Sequence, residues 1–416
     1  MYKMKETIKI RRVLDPLKKH LVIEITYDSS SMCDTAGKDK SGSRILLLAQ
    51  IAPRNLAGKL EAISQEELER ADGILYPGIG RAEELFGFES LRSPIIMSPY
   101  AASVCELQKI FRKNIEELPR RTVLSPETSL KIGMFNVTLH YRSKRIPWRV
   151  SFEIEVNGER ILFTGNSLFD TSAFELKPAP EYLLLDEKIP PFDIGPSEEE
   201  IGKAISERFS DSKSLLLVNF STLLMPRLIT IMKFAIQTGR RFIIDPYLAE
   251  TLIAGRNAGF TELPDPLSSQ NLVVYNPLPM YLQLKDAVGK ELIEKYSLNR
   301  VGEIFREIEE NPKNFIILFH NSQATDNLMR MRLPFAKAEY IHCLSKRHLN
   351  EPSALTRLIK NLSIPTHVFH RNANGTRSDI ARFLKYMKPV NIIPIHGDEK
   401  QLSKLMDGDK ERFYAT

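Results

Sequence analysis

Apolar residues alternate with polar ones in some stretches of the chain and recur every three or four positions in others. These two periods sort it into strands and helices. Leu21-Val22-Ile23-Glu24-Ile25 and Arg44-Ile45-Leu46-Leu47-Leu48 predict early strands on either side of a Ser- and Gly-rich turn region at 29–43. The sharpest local signal is Phe152-Glu153-Ile154-Glu155-Val156, then Asn157-Gly158, then Arg160-Ile161-Leu162-Phe163. Both arms alternate and Asn-Gly suits a two-residue turn, so a β-hairpin is expected here. A helix is expected over 56–70, between strands. The amino-terminal half is therefore strand-rich.

The pattern changes after a Pro-containing linker at 188–193. Ser197-Glu198-Glu199-Glu200 is a capping-box start for a helix. Residues 215–220 predict a buried strand, and 227–237 place Leu228, Ile231, Met232, Ala235 and Ile236 at helical spacing. Gly239 ends that helix, and Phe242-Ile243-Ile244 is the next strand. Residues 315–319 predict another strand, again followed by a helical region. Alternation of this kind predicts a parallel sheet covered by helices.

Composition narrows the class. A chain of 416 residues holds two or three domains, or one domain with a large insertion. With 43% hydrophobic and 26% charged residues it has the make-up of a soluble globular protein. It has no run of about 18 apolar residues, so no membrane association is expected. Its start, Met1-Tyr2-Lys3-Met4-Lys5-Glu6, is charged and lacks an apolar signal core, which predicts a cytoplasmic protein. Cys33, Cys105 and Cys343 are widely spaced and form no zinc-type pattern, as expected in a reducing compartment. A net charge of +6 permits a polyanionic partner without requiring one.

Near the carboxyl terminus, Asn391-Ile392-Ile393-Pro394-Ile395-His396-Gly397-Asp398 delivers one histidine at the end of an apolar run. A metal ligand is presented in this way, on a rigid strand end. A two-metal site needs several more imidazole and carboxylate ligands upstream.

Other segments, in order, carry a family likeness. Glu199-Glu200-Ile201-Gly202, Leu217-Val218-Asn219-Phe220-Ser221 and Thr238-Gly239-Arg240-Arg241-Phe242 resemble the β-CASP domain of the RNase J ribonucleases. His320-Asn321-Ser322-Gln323 looks like that family's Thr-Gly-Ser-Gln turn. Thr164-Gly165-Asn166 resembles its "T-G-D" turn, and Leu183-Leu184-Leu185-Asp186-Glu187 its strand ending in an acidic residue. The resemblance implies a metallo-β-lactamase αβ/βα sandwich with an inserted β-CASP parallel-sheet domain. The expected division is 1–192 for the first part of the sandwich, 193–364 for the β-CASP domain and 365–416 for the return to the sandwich.

Members of this family cut RNA with two zinc ions, which generate hydroxide and clamp phosphate oxygens. Here the resemblance places Gly78, Gly80, Ala82 and Glu83 at the four positions of the main ligand motif, after the strand Gly73-Ile74-Leu75-Tyr76. Lys144 stands at the next His position, Asn166 at the bridging Asp and Asn374 at the β-CASP His. Only Glu187 and His396 keep their chemistry, as remnants of a catalytic set. No metal cofactor is expected on this reading.

The replacements also bring positive charge. Arg142, Lys144, Arg145 and Trp148 form a basic run with one aromatic, a pattern suited to phosphates and stacked bases. Arg227 and Ser322 are further nucleic-acid candidates, with Arg240, Arg241, Arg330 and Lys337 beside them. His367 and His370 offer either a displaced metal pair or two surface-loop histidines. The expectation is a catalytically degenerate RNase J-like protein that binds RNA or an active nuclease paralogue, as a homodimer or mixed dimer. The alternative is an active metal-dependent ribonuclease or phosphodiesterase. It would use zinc or manganese in a site rebuilt from Glu83, His140, Asp170, Glu187 and His396.

Overall fold

The structure is a computed structural model. It describes residues 7–14, 20–28, 43–51, 61–62, 69–78, 92–111, 118–141, 150–165, 179–186, 196–221, 225–278, 301–320, 323–330, 333–344, 346–350, 352–370 and 377–395, with residues 66, 85, 281, 282 and 402. The chain divides into two units. One comprises Met1–Lys109, Asn114–Ile194 and Ala373–Thr416, and the other Ile110–Lys113 and Gly195–Asn372.

The first unit is built on two sheets. Its strands are β1 (Thr7–Leu14), β2 (His20–Asp28), β3 (Ser43–Ile51), β4 (Glu61–Ala62), β5 (Gly73–Leu75), β6 (Ile95–Met97) and β7 (Arg121–Val123), in the order β4-β1-β2-β3-β5-β6-β7. The second sheet holds β8 (Ser129–Ile132), β9 (Phe135–Tyr141), β10 (Val150–Val156), β11 (Glu159–Phe163), β12 (Tyr182–Leu185) and β19 (Asn391–Pro394), in the order β19-β12-β11-β10-β9-β8. Strand alternation sends Ile23, Ile25, Ile45, Leu47 and Leu75 of the first sheet into one core. They meet Phe135, Val137, Phe152, Ile154, Phe163 and Ile393 of the second. On the outer face of the first sheet, Leu46, Ile74 and Met97 pack with Ala101 and Cys105 of α1 (Pro99–Phe111). On the outer face of the second, Leu162, Leu183 and Ile392 pack with the last helix, Arg377–Met387. The layers run helix, sheet, sheet, helix, the αβ/βα sandwich expected from the sequence.

The predicted hairpin forms as β10 and β11, with Phe152 opposite Phe163 and Val156 opposite Glu159. Asn157 and Gly158 take φ of 50° and 79°, both in the left-handed region that such a turn requires. The helix expected over 56–70 is corrected: Glu61–Ala62 is a strand paired with Val13 and Leu14 of β1, and helical bonding appears at Glu66, whose carbonyl accepts from the Arg70 amide. The open edge of β1 offers backbone partners that a lone helix cannot match.

The second unit holds an all-parallel sheet of β13 (Leu215–Asn219), β14 (Arg241–Ile244), β15 (Leu272–Val274), β16 (Phe315–Leu318), β17 (Ala338–His342) and β18 (Thr366–Val368). Their order is β15-β14-β16-β13-β17-β18. Its helices are α2 (Glu198–Phe209), α3 (Met225–Thr238), α4 (Pro246–Asn257), α5 (Val301–Glu310), α6 (Gln323–Arg330), α7 (Lys346–Leu349) and α8 (Ala354–Asn361), and the helix of the first unit at Arg377–Met387 is α9. Ser197 caps α2 in the predicted reciprocal box with Glu200. Leu228, Ile231, Met232 and Ala235 of α3 are buried as the spacing predicts. Ile236 is corrected: at the edge of the stripe it is 58% exposed. Because β18 pairs with β17, the second unit runs to Asn372 rather than ending at residue 364. Among the described residues no helix is long and apolar enough to cross a membrane.

Candidate functional site

One edge of the sandwich gathers the strand ends that the resemblance singled out. The Thr164 amide donates to Leu184 O at 3.0 Å, Thr164 Oγ1 accepts from the Asp186 amide at 2.9 Å, and the Ile395 amide donates to Leu185 O at 2.9 Å. The ends of β11, β12 and β19 are therefore held side by side. Ser151 Oγ donates to Thr164 O at 3.0 Å, which ties the base of the β9–β10 connection to them. A β-carbon added at Gly165 would meet Val150 O and lie 3.5 Å from Pro77 Cβ, so the end of β5 converges on the same place. Ser98, which follows β6, accepts from the Ala101 amide at 3.1 Å and so caps α1. Tyr141 lies beside it, its phenol pushed up to about 12 because burial outweighs its hydrogen bonds to Ser98 and Tyr100.

Of the positions that the resemblance aligns with ligands, Gly78 is described. A β-carbon there would fall 2.6 Å from Tyr76 Cε2, with Cζ and Oη nearer still. Tyr76 is 2% exposed and packs in the core beneath α1. The space through which a ligating side chain would project is occupied by an aromatic ring. Gly80, Ala82, Glu83, Lys144, Asn166, Glu187, Asn374 and His396 lie outside the described residues, as do Arg142, Arg145, Trp148, Asp170 and Ser322. A buried carboxylate that the sequence reading passed over in favour of Glu187 is Asp186, 1% exposed at the end of β12. Its place in an apolar run that stops at an acid was the available signal.

Of the residues expected in a rebuilt site, His140 is the one described. Its Nδ1 is 2.9 Å from Glu127 and its Nε2 is 3.8 Å from Glu153. Among the described residues no group of three or more His, Cys, Asp or Glu is arranged to hold a metal ion. Gly78 itself has no donor atom, and the space that a side chain there would need is taken by the Tyr76 ring.

Several candidate RNA contacts belong instead to the interior of the second unit. Arg227 is corrected: it is 0% exposed, its guanidinium donating to Glu198 at 2.7 Å and to Phe369 O at 2.7 Å. Burial alone would lower its pKa, but the Glu198 carboxylate reverses that and keeps it charged. Arg240 donates to Ser212 O and Ser214 O beneath the sheet. Arg241 pairs with Glu307 and lies over the Phe315 ring at 4.6 Å. His367 is on strand β18 rather than in a loop, hydrogen-bonded to Glu339 at 3.1 Å and edge-on to Phe209. Arg330 and Lys337 remain exposed.

No curated protein matches the chain in sequence. Its fold is similar to the crystal structure of a protein of unknown function from Enterococcus faecalis V583. The two share 12% identity and a TM-score of 0.61, over 99% of this chain and 98% of that one. At that identity the likeness shows the fold alone. Residues 372–411 match the Zn-dependent metallo-hydrolase RNA specificity domain, a match that supports the metallo-β-lactamase superfamily for a chain with this α/β sandwich.

Proposed function

We propose that this protein binds RNA on a β-CASP-type metallo-hydrolase scaffold without hydrolysing it. The match of 372–411 to an RNA specificity domain supports the nucleic-acid half. The packing of Tyr76 against Gly78 is the observation that carries the silent half, because it concerns volume as well as chemistry. The identities at the other positions agree: Gly80 and Ala82 have no ligating atom, Lys144 brings a single positive charge where the resemblance would place a metal ligand, and Asn166 and Asn374 are neutral amides. A cationic edge attracts a phosphate backbone without activating water.

The test is metal analysis and a nuclease assay on one preparation, with and without added manganese, alongside RNA binding over a salt series. Expected are substoichiometric zinc, no cleavage with or without manganese, and RNA binding that weakens steeply with salt. About two zinc or manganese ions per chain together with metal-dependent cleavage would overturn it.

A further inference from the structure

Three neighbouring strands of the second unit, β15, β14 and β16, each run into a polar residue at the carboxyl end: Asn276, Asp245 and His320. The Tyr275 amide donates to Ile244 O at 2.8 Å, so β15 continues past its last paired residue and sets Asn276 beside the end of β14. Asp245, 4% exposed, accepts from the Leu248 amide at 2.8 Å and from His320 Nε2 at 2.9 Å. In the neutral imidazole that second bond makes Nδ1 the acceptor. Asn276 is 1% exposed, and neither its Nδ2 nor its Oδ1 has a hydrogen-bond partner among the described residues. Leu278, two residues on, is 57% exposed, so the amide lies close beneath the surface. A buried amide without a partner carries its full desolvation penalty, and folded proteins keep few of them. An aliphatic side chain of the same size would avoid that penalty, so the amide at this place calls for a partner from outside the chain.

We propose that the carboxyl ends of β14, β15 and β16 form a site for an unpaired adenine base, read by the Asn276 amide. The inference rests on the RNA-binding reading above and gives that RNA a base to be recognised by. In open parallel sheets ligands bind outside the carboxyl ends of the strands, which is where the unpartnered amide stands. The amide offers a donor and an acceptor in one plane, and the N6 amino group and N7 of adenine match them as a bidentate pair. A base must leave its duplex to be enclosed in this way. Asp245 is committed to His320 and to the first turn of α4, and the amide is neutral, so the site selects a neutral planar ligand over a phosphate. β15 and β16 flank β14 about 10 Å apart at the backbone. A nucleoside is of that length, which puts its ribose hydroxyls on the side of His320 Nδ1.

The experiment is calorimetric titration of the full chain with adenosine, free adenine, 7-deazaadenosine and N6,N6-dimethyladenosine. Fluorescence anisotropy with labelled oligoadenosine and oligouridine of equal length accompanies it. The parent should bind adenosine, and the two analogues, which lack N7 or the N6 donors, should bind about tenfold more weakly. These probes test the bidentate pair without any substitution, and an analogue bound as tightly as adenosine would overturn it. Asn276→Leu should weaken adenosine about tenfold and erase a preference for oligoadenosine, while its ligand-free melting temperature equals or exceeds the parent's. A clearly lower melting temperature would show that the amide is already satisfied, by a trapped water for instance, and would overturn the site. His320→Ala should weaken adenosine and leave free adenine unchanged; an equal loss of both would remove His320 from the ribose side. A parent that binds both oligonucleotides equally and no adenosine at millimolar concentration overturns this site and leaves the RNA-binding reading standing. A parent that binds neither oligonucleotide at low salt overturns that reading, and this inference with it.

Discussion

The ring of Tyr76 lies where a β-carbon at position 78 would have to stand, so Gly78 is required by its neighbour two residues back. Both residues lie just past the end of β5, two positions apart. The ring reaches into the core beneath α1 and cannot swing away without leaving a void there. A side chain at 78 and the ring at 76 therefore compete for one volume, and a histidine placed at 78 would collide with that ring.

Gly78→Ala is expected to destabilise the protein by about 1–3 kcal/mol, the usual cost of overpacking. Tyr76→Ala alone should cost about 3–5 kcal/mol through the cavity it leaves. In the double variant the alanine at 78 has room, so its added cost should vanish. Urea denaturation of the four proteins measures this coupling, and strictly additive effects would show that the two side chains do not compete for space.

Gly165 tests the convergence of strand ends at the sandwich edge. Its φ is +64°, and an added β-carbon would meet the Val150 backbone oxygen, which cannot rotate aside. Gly158, in the hairpin turn, has a φ of +79° but nothing within 4 Å. Gly158→Ala should therefore show only the left-handed penalty of about 1–2 kcal/mol. Gly165→Ala should lose that and a further ~1–3 kcal/mol from the collision. Equal losses in denaturant melts would mean that the edge is looser than the packing indicates.

Arg227 and Glu198 form an ion pair in which the arginine is wholly buried, and Glu198 also accepts from Thr230 Oγ1. Removing the carboxylate leaves a charge that cannot reach water. Glu198→Ala is expected to cost about 3 kcal/mol, the lower end for a broken buried pair because Glu198 is partly exposed. RNA affinity of the folded variant should match the parent. A large loss of affinity with little loss of stability would return Arg227 to the list of RNA contacts.

Features carried by local pattern were legible in the sequence. The β10–β11 hairpin follows from alternation plus Asn-Gly, the α2 start from its capping box, and the α3 stripe from its period. The strand leading to His396 was likewise visible as an apolar run, and it pairs with β12. Features set by distant partners were not. Glu61 and Ala62 look helical until β1 offers an edge, and Arg227 looks like an exposed cation until Glu198 and the Phe369 carbonyl enclose it. The filling of the space at Gly78 depends on a rotamer of Tyr76, which no spacing encodes. The family likeness drew attention to Gly78, and packing shows that the Tyr76 ring fills the space beside it.

Several groups give the stability a pH profile whose sign follows from their shifts, Glu339 and Tyr141 among them. Burial alone would raise the Glu339 carboxyl, but hydrogen bonds from Ser212 and Ser214 and the neighbouring His367 outweigh it and hold it below its ordinary value of 4.5. The unfolded chain then binds the extra proton first as acid is added. This contribution is present above about pH 4.5 and lost as pH falls through the folded value. Tyr141 is the reverse case, raised by burial from 10.0 to about 12. The unfolded chain loses its proton first as base is added, so stability falls from pH 10 towards pH 12. Glu339→Gln should therefore flatten the acid limb of a stability–pH curve, and Tyr141→Phe the alkaline limb. Urea melts from pH 3 to pH 12 measure both limbs. A Glu339→Gln curve as steep below pH 4.5 as the parent's would remove Glu339 as a source of the acid dependence, and the Tyr141→Phe curve tests the alkaline limb independently.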